Sequence, residues 1–328
     1  MKRKLRLLFP LIIGAISLGG CDFIKIEDAE DTSYKQDSKA LKAYYKETNL
    51  ELSGGRLENE LQKMCFTKHV NWVTYGQVNS YYTKTATHES VEAIAKGSKT
   101  NQWFYTGKEA AGTGTREHVF PCANSGDLWN HDNKEQNVHN VDLSTYIGGG
   151  SDLLHVRTCN SAVNTARGNS KFVDFDDDEF ESKRNGVEEI GENNGKWTLK
   201  IQGHSTTGGG AKQYAQLAEP ADEMKGDIAR IVLYVYIHYA DRGLTFEGSK
   251  TSGNLTYNYS DMVSSKLSLT NIIGYDSLEK CKEVLKAWNK LDPPSKVEYV
   301  RNDAVQKIQG NRNPFVDYPD LVDKIFNS

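Results

Sequence analysis

Proline, cysteine and net positive charge are all in short supply in this chain. Only 7 of its 328 residues are proline, so no Pro-rich linker divides it. Its 5 cysteines form no Cys-x-x-Cys pair and no zinc-finger spacing, which excludes a structural zinc site of that kind. Lys and Arg together number 40 against 44 Asp and Glu, a formal charge of −4. A broad basic field is therefore lacking, and a polyanion would have to be met by local arginines and a metal ion. A membrane-spanning run is lacking too. The N-terminal apolar stretch Leu7–Leu18 is too short and wrongly flanked to cross a bilayer. No internal repeat is present.

What that apolar stretch does fit is an export signal. Lys2, Arg3, Lys4 and Arg6 precede it, and Leu18-Gly19-Gly20-Cys21 closes it. Small residues followed directly by a cysteine resemble a bacterial lipobox, which implies cleavage before Cys21 and lipid on its sulfur. The alternative is an ordinary cleaved signal with a chance cysteine. Two or more acyl chains hold a protein stably at a membrane. The expected organisation is a signal peptide over 1–20, a lipidated disordered tether over 21–40, and a folded part over 41–328 on the extracytoplasmic face of the membrane. Residues 22–38 are charged and carry no periodic apolar face, which suits a tether. Removal of the four leading cations takes the formal charge to −8.

Helical periodicity begins near Leu41 and returns at Leu57, Leu61 and Met64 after a break at Ser53-Gly54-Gly55. A further helix is expected over Ser80 to Ala95, and a short strand over Gln102 to Tyr105. Residues 121–151 read as one long loop rich in Asn, Asp, His and Gly, a length that usually signals function. Residues 174–216 read as an acidic and glycine-rich insertion with a hairpin around Trp197 to Ile201. The clearest helix opens after Glu219-Pro220. Met224, Ile228, Ile231, Val232, Val235, Tyr236 and Tyr239 give it a wide apolar stripe and a central place in the core. Helices over Ser277 to Trp288 and Glu298 to Ile308 follow, then a Pro/Asn-rich turn and a short terminal helix.

Two segments carry the chemistry: Thr115-Arg116-Glu117-His118-Val119-Phe120-Pro121, and the stretch from Asp152 to Asn169. Along a strand, neighbours such as Glu117 and His118 point to opposite faces. They reach one site only where the strand ends, as it does before Pro121. A histidine there is a natural base for activating water. Asn164 follows Ser161, a good N-cap. Its amide oxygen can ligate Mg²⁺ or Ca²⁺ as a hard neutral donor, or else make a helix-start hydrogen bond. Arg157 and Arg167 flank this turn, and arginines pair bidentately with phosphate. Three other histidines, His131, His139 and His155, match no zinc spacing. Hard ligands beside a base suit metal-assisted phosphodiester hydrolysis.

These blocks, Arg116-Glu-His-Val-Phe-Pro121, Asp152-Leu-x-His-x-Arg157 and Val163-Asn-x-x-Arg-Gly-Asn169, resemble the endonuclease I family of bacterial exported nucleases. So do Glu219-Pro-Ala-Asp-Glu-Met-Lys-Gly-Asp-Ile-Ala-Arg230 and the tail from Arg301 to Phe315. The likeness covers nearly all of 41–328. It implies an α+β fold, a mainly helical single domain with an embedded ββα-metal motif. It also implies one divalent metal held by Glu117 and Asn164 (Mg²⁺, with Ca²⁺ or Mn²⁺ as alternatives), His118 as general base, and an arginine, Arg157 or Arg167, at the phosphate. DNA and RNA are the implied substrates, cut with little sequence preference to leave 5′-phosphates, by a protein expected to act as a monomer. Leu154 stands where many members have histidine, and Thr158 where proline is common. The alternatives are a ribonuclease-biased member and a non-catalytic surface lipoprotein that binds nucleic acid or another ligand. An even count of Cys65, Cys122, Cys159 and Cys281 permits disulfides in an exported chain. Three connectivities are open to two bridges, and a Cys122–Cys159 bridge that braces the two segments is one candidate.

Overall fold

The computed structural model describes residues 37–82, 91, 101–106, 109–110, 114–125, 146–183, 186–192, 197–202, 217–252 and 255–327. The expected signal peptide, Cys21 and most of the tether lie outside the described residues, as do His131, His139 and 203–216. The tether gives way to helix earlier than its composition suggests. The Asp37 carboxylate accepts from the N–H groups of Lys39 and Ala40 and caps helix α1, Ser38–Tyr44. Helix α2, Gly54–Lys68, buries Leu57, Leu61, Met64 and Cys65, the stripe that its spacing foretells. Helix α3, Val78–Tyr82, is the described part of the helix expected from Ser80.

Strands β1, Asn101–Gln102, and β2, Glu109–Ala110, pair antiparallel. Past β1 the Phe104 N–H donates to Thr158 O at 2.8 Å. The chain then turns at Tyr105, whose φ is 72°. Strands β3, Thr115–His118, and β4, Val156–Cys159, form an antiparallel pair with Glu117 opposite Arg157 and His118 opposite Val156. One residue later comes helix α4, Ser161–Arg167. Its cap is Asn160 rather than Ser161: the Asn160 side-chain oxygen accepts from the N–H groups of Ala162 and Val163. Two strands and this helix make the ββα unit.

A four-stranded sheet runs in the order β5 (Lys171–Phe172), β8 (Leu217–Pro220), β7 (Trp197–Gln202), β6 (Val187–Glu192). The expected hairpin is the antiparallel β6–β7 pair. Leu199 and Ile201 are fully buried, two apart on one face.

Helix α5, Asp222–Tyr239, is the core of the domain and packs on α2 and on helix α7, Leu278–Leu291. Its closest approach is at Gly226, where a Cβ would overlap the Asp292 carbonyl. Between α5 and α7 lie the hairpin β9, Lys250–Ser252, and β10, Leu255–Tyr257, and the short helix α6, Tyr259–Met262. Helix α8, Lys296–Gln309, starts at a Ser295–Glu298 capping box and ends at Gly310, φ 91°. Two short helices, α9, Pro314–Asp317, and α10, Leu321–Phe326, close the chain.

The α5 stripe is less apolar than its periodicity suggests, because Arg230 is buried within it. Its Nε and Nη2 donate to the two Glu298 oxygens at 2.7 Å each, and Nη1 reaches Asn289 Oδ1 and Asp292 O. A pair of this kind offsets the cost of burying the cation. The whole is the mainly helical α+β domain that the resemblance implies. Among the described residues no helix is long and apolar enough to cross a membrane.

Candidate active site

Glu117 lies near the end of β3 with its side chain buried toward α4. Its Oε1 accepts from the Tyr105 hydroxyl at 2.7 Å, and Arg167 Nη1 lies 3.2 Å from the same oxygen. Burial pushes the Glu117 carboxyl up, while Arg167 and the Tyr105 hydrogen bond pull it down. Asn164 and Arg167 are three apart and so share one face of α4. Asn164 Nδ2 donates to Thr115 Oγ1 at 3.1 Å and to Arg116 O at 3.0 Å. Asn164 thus meets β3 through its amide NH₂ group. A buried carboxylate and an amide oxygen on adjoining elements are a hard oxygen set, the kind that suits Mg²⁺, Mn²⁺ or Ca²⁺.

His118 is the last residue of β3, and its ring goes to the other side, toward residues 149–150, so strand alternation holds to the end of β3 and the convergence of Glu117 and His118 expected there is not seen. Nε2 lies 3.1 Å from Gly150 O. A carbonyl only accepts, so Nε2 carries the proton and Nδ1 the lone pair. Burial first, then His155, Arg116 and Arg167, lower the imidazole to about 3 against the opposing pull of the Gly150 carbonyl. The ring is therefore neutral at neutral pH. Tyr75 lies parallel to it, with centroids 5.9 Å apart. The two faces of the strand are tied together by Arg167. Its Nη1 also donates to His118 O at 3.1 Å, and Nη2 donates to Val119 O at 2.8 Å.

Neither arginine expected at a phosphate is at the surface. Arg167 is 1% exposed, and its Nη1 and Nη2 groups meet Glu117 and the carbonyls at the end of β3, while Nε is buried without a partner among the described residues. Arg157 lies over the Phe104 ring at 4.5 Å and lines a cavity of about 20 Å³ with Asp227 and Glu298. The reason is burial: β4 is covered along its whole length. The partly exposed guanidinium on the His118 face is Arg116, two residues earlier on β3. It lies 3.8 Å over the Tyr75 ring and donates to Tyr75 O at 2.7 Å. The strand's two-residue period could have found it.

The candidate Cys122–Cys159 bridge is not formed. Cys65, Cys122, Cys159 and Cys281 are all free thiols. Cys159 is buried with Sγ 3.5 Å from Phe104 O, whereas Cys122 is exposed on the turn Cys122–Asn124. The two segments are braced instead by the β3–β4 ladder and Arg167. His155 is a satisfied core histidine: Nδ1 lies 2.8 Å from Gly149 O, and Nε2 accepts from the Phe120 N–H at 2.9 Å.

One cluster escapes sequence reasoning because its members are far apart in the chain. His69, Asp152 and His238 are all buried, with ligand-type atoms within 4.8 Å of one another, and could hold one metal ion between them. The Asp152 carboxylate is already saturated by protein donors. Oδ2 accepts from the Tyr234 and Tyr239 hydroxyls at 2.5 and 2.7 Å, and Oδ1 from Gln309 Nε2 and the Leu154 N–H at 2.8 and 2.9 Å. A metal bound there would compete with the tyrosine hydroxyls.

The geometry of the ββα unit agrees with what the chain is similar to. The endonuclease I family profile matches residues 38–320. The chain belongs to the endonuclease I family. The resemblance read from its motifs is thereby borne out. Among curated relatives, an extracellular ribonuclease of Bacillus subtilis (strain 168) is 32% identical over 206 residues, 62% of this chain and 55% of that protein. An extracellular ribonuclease of Bacillus amyloliquefaciens is 30% identical over 217 residues, 65% of this chain and 59% of that protein. The chain thus spans little more than half the length of these relatives. Glu117, Asn164 and His118 lie on the motifs that carried the resemblance, as does Arg116, and the fold sets Tyr105 against Glu117 and the Gly150 carbonyl against His118.

Proposed function

We propose that this chain is an exported, metal-dependent endonuclease that hydrolyses RNA and DNA with little sequence preference and leaves 5′-phosphates. The observation that carries the reading is the endonuclease I family match over residues 38–320, supported at the motif residues by a carboxylate and an amide on adjoining elements, Glu117 and Asn164, and by a neutral histidine, His118, at the end of the same strand. Glu117 and Asn164 would hold the cation. A divalent cation bound there supplies charge neutralisation at the phosphate. His118 takes a proton from the attacking water through Nδ1, and Gly150 O keeps the ring in that tautomer. The water oxygen bonds to phosphorus as the P–O3′ bond breaks, and the departing 3′ oxygen takes a proton from solvent, so the phosphate stays on the 5′ end and the sugar's 2′-hydroxyl is not used. Arg116 provides positive charge on the His118 face of β3, while Arg167 orients Glu117 instead of meeting substrate.

RNA enters the reading through the relatives named as extracellular ribonucleases. Incubation of plasmid DNA and of a structured RNA, with Mg²⁺ or with EDTA, is the test. Both substrates should be cut, only with metal, more slowly as salt rises, to products that a 5′-phosphate-dependent exonuclease can digest. 2′,3′-Cyclic phosphates on RNA with untouched DNA would overturn the mechanism. RNA cleavage alone, with 5′-phosphates, would favour the ribonuclease-biased reading.

The lipid anchor at Cys21 is part of the same proposal, supported by Leu18-Gly19-Gly20-Cys21 and its basic leader. Cys21→Ser should shift the protein from the membrane fraction to the soluble or uncleaved precursor fraction. An unmodified mature N-terminus that begins elsewhere, by mass spectrometry, would remove the anchor.

A further inference from the structure

Among the described residues Tyr105 is the one non-glycine residue with a left-handed backbone, φ 72°. An aromatic side chain is disfavoured there, so the surroundings must hold it in place. Its ring is buried beside Phe104 and Phe172, with centroids 4.7 and 6.4 Å away. The turn delivers one polar atom: the hydroxyl donates to Glu117 Oε1 at 2.7 Å. Arg167 Nη1 meets that same oxygen. Two donors from separate elements converge on Oε1.

We propose that Tyr105 fixes Glu117 as a one-oxygen metal ligand and thereby biases the site toward a small octahedral cation such as Mg²⁺ over Ca²⁺. Mg²⁺ demands near-ideal octahedral geometry, keeps several waters and uses one or two carboxylates. Ca²⁺ takes six to eight oxygens and gains from a carboxylate that offers both of its own. An Oε1 held by a hydroxyl and a guanidinium is withheld from that second bond, so the larger cation loses a ligand that the smaller one does not need. Tyr105 is a positioning residue: it acts through Glu117 and touches no reacting atom. The inference rests on the reading of Glu117 as a metal ligand.

The test uses the full mature chain and its Tyr105→Phe variant, which keeps the ring and removes the hydroxyl. Mg²⁺ and Ca²⁺ affinities are measured by calorimetry in competition with Mn²⁺, without substrate. Loss of a contact that orients a ligand typically weakens metal binding about 10-fold or more. The expected result is a fall of about that size for Mg²⁺, with Ca²⁺ binding held or improved, so that the Mg²⁺/Ca²⁺ affinity ratio drops about 10-fold. A ratio unchanged or raised, including equal weakening of both cations, overturns the proposal. Glu117→Gln separates the two layers of the argument: if it binds both cations like the natural chain, the metal reading of Glu117 fails by itself. Should Tyr105→Phe not fold, Glu117→Asp takes its place, since it keeps the charge and draws the carboxylate away from the hydroxyl. The same drop in ratio is expected, and an unchanged ratio overturns the proposal.

Discussion

His118→Ala is expected to lower cleavage of DNA and RNA by about 10²–10⁴-fold while leaving divalent-metal affinity close to that of the natural chain. The imidazole meets Gly150 O and lies parallel to Tyr75, on the side of β3 opposite the Glu117 carboxylate, so it is separate from the proposed ligands. Glu117→Gln and Asn164→Ala are expected to do the reverse at low metal concentration. They should weaken cation binding about 10-fold or more, with activity partly restored at high Mg²⁺. Glu117→Gln is preferred to alanine because it keeps an oxygen for the Tyr105 hydroxyl, and a buried hydroxyl left unpaired costs about 1–3 kcal/mol. Calorimetry with Mn²⁺ and single-turnover rates give the two readouts. A His118→Ala chain that loses the metal, beside an Asn164→Ala chain that binds it normally, would falsify this division of roles.

The largest effect on stability is expected at Asp152, well away from the strand-end pair. Asp152→Ala strips acceptors from Tyr234, Tyr239, Gln309 and the Leu154 N–H at once. Bonds to an ionised group contribute about 1.5–3 kcal/mol each, and they are not additive. Breaking a buried charged network by removing one member typically costs about 3–5 kcal/mol, and that is the loss expected in urea unfolding. Its pH dependence follows from the direction of the shift. Burial alone would raise the Asp152 carboxyl, but the surrounding donors, His238 first among them, outweigh burial and hold it below the usual carboxylate range. A carboxyl depressed in the folded state contributes stability that is present above its unfolded pKa and is lost as pH falls through the folded one. The natural chain should therefore keep this contribution at neutral pH and begin to lose it only below about pH 4. A loss under about 1 kcal/mol for Asp152→Ala at pH 7 would mean that the hub is dispensable.

That hub illustrates why some of the molecule was legible and some was not. Tyr234, Tyr239 and Gln309 lie 82, 87 and 157 positions from Asp152. No local period encodes such a meeting, and in the sequence Asp152 is one acid among 44. The pairing of His69 with His238 across the same carboxylate was hidden for the same reason. Arg230 is a further case. On the sequence it interrupts an apolar stripe, and only the approach of α8 supplies Glu298 to receive it.

What the sequence determined by itself was local. Spacing of three and four placed the apolar faces of α2, α5 and α7, because a helix brings those positions to one side whatever surrounds it. Alternation along Arg116-Glu117-His118 put the acid and the base on opposite faces of a strand that stops before Pro121, because side chains alternate on any strand. Motif order alone indicated the family. What the tertiary structure decided was which atoms meet. It turned Arg157 and Arg167 inward, since a covered β4 and a buried Glu117 leave no water to take up their charge. It left Cys122 outside and Cys159 inside, so that two thiols near in function stay apart in space. It brought Tyr105, in a backbone region that residue type disfavours, onto one oxygen of Glu117. Each of these outcomes depends on contacts between segments distant in the chain, and their free energy is set by burial and partner geometry. Neither quantity exists until the chain has folded.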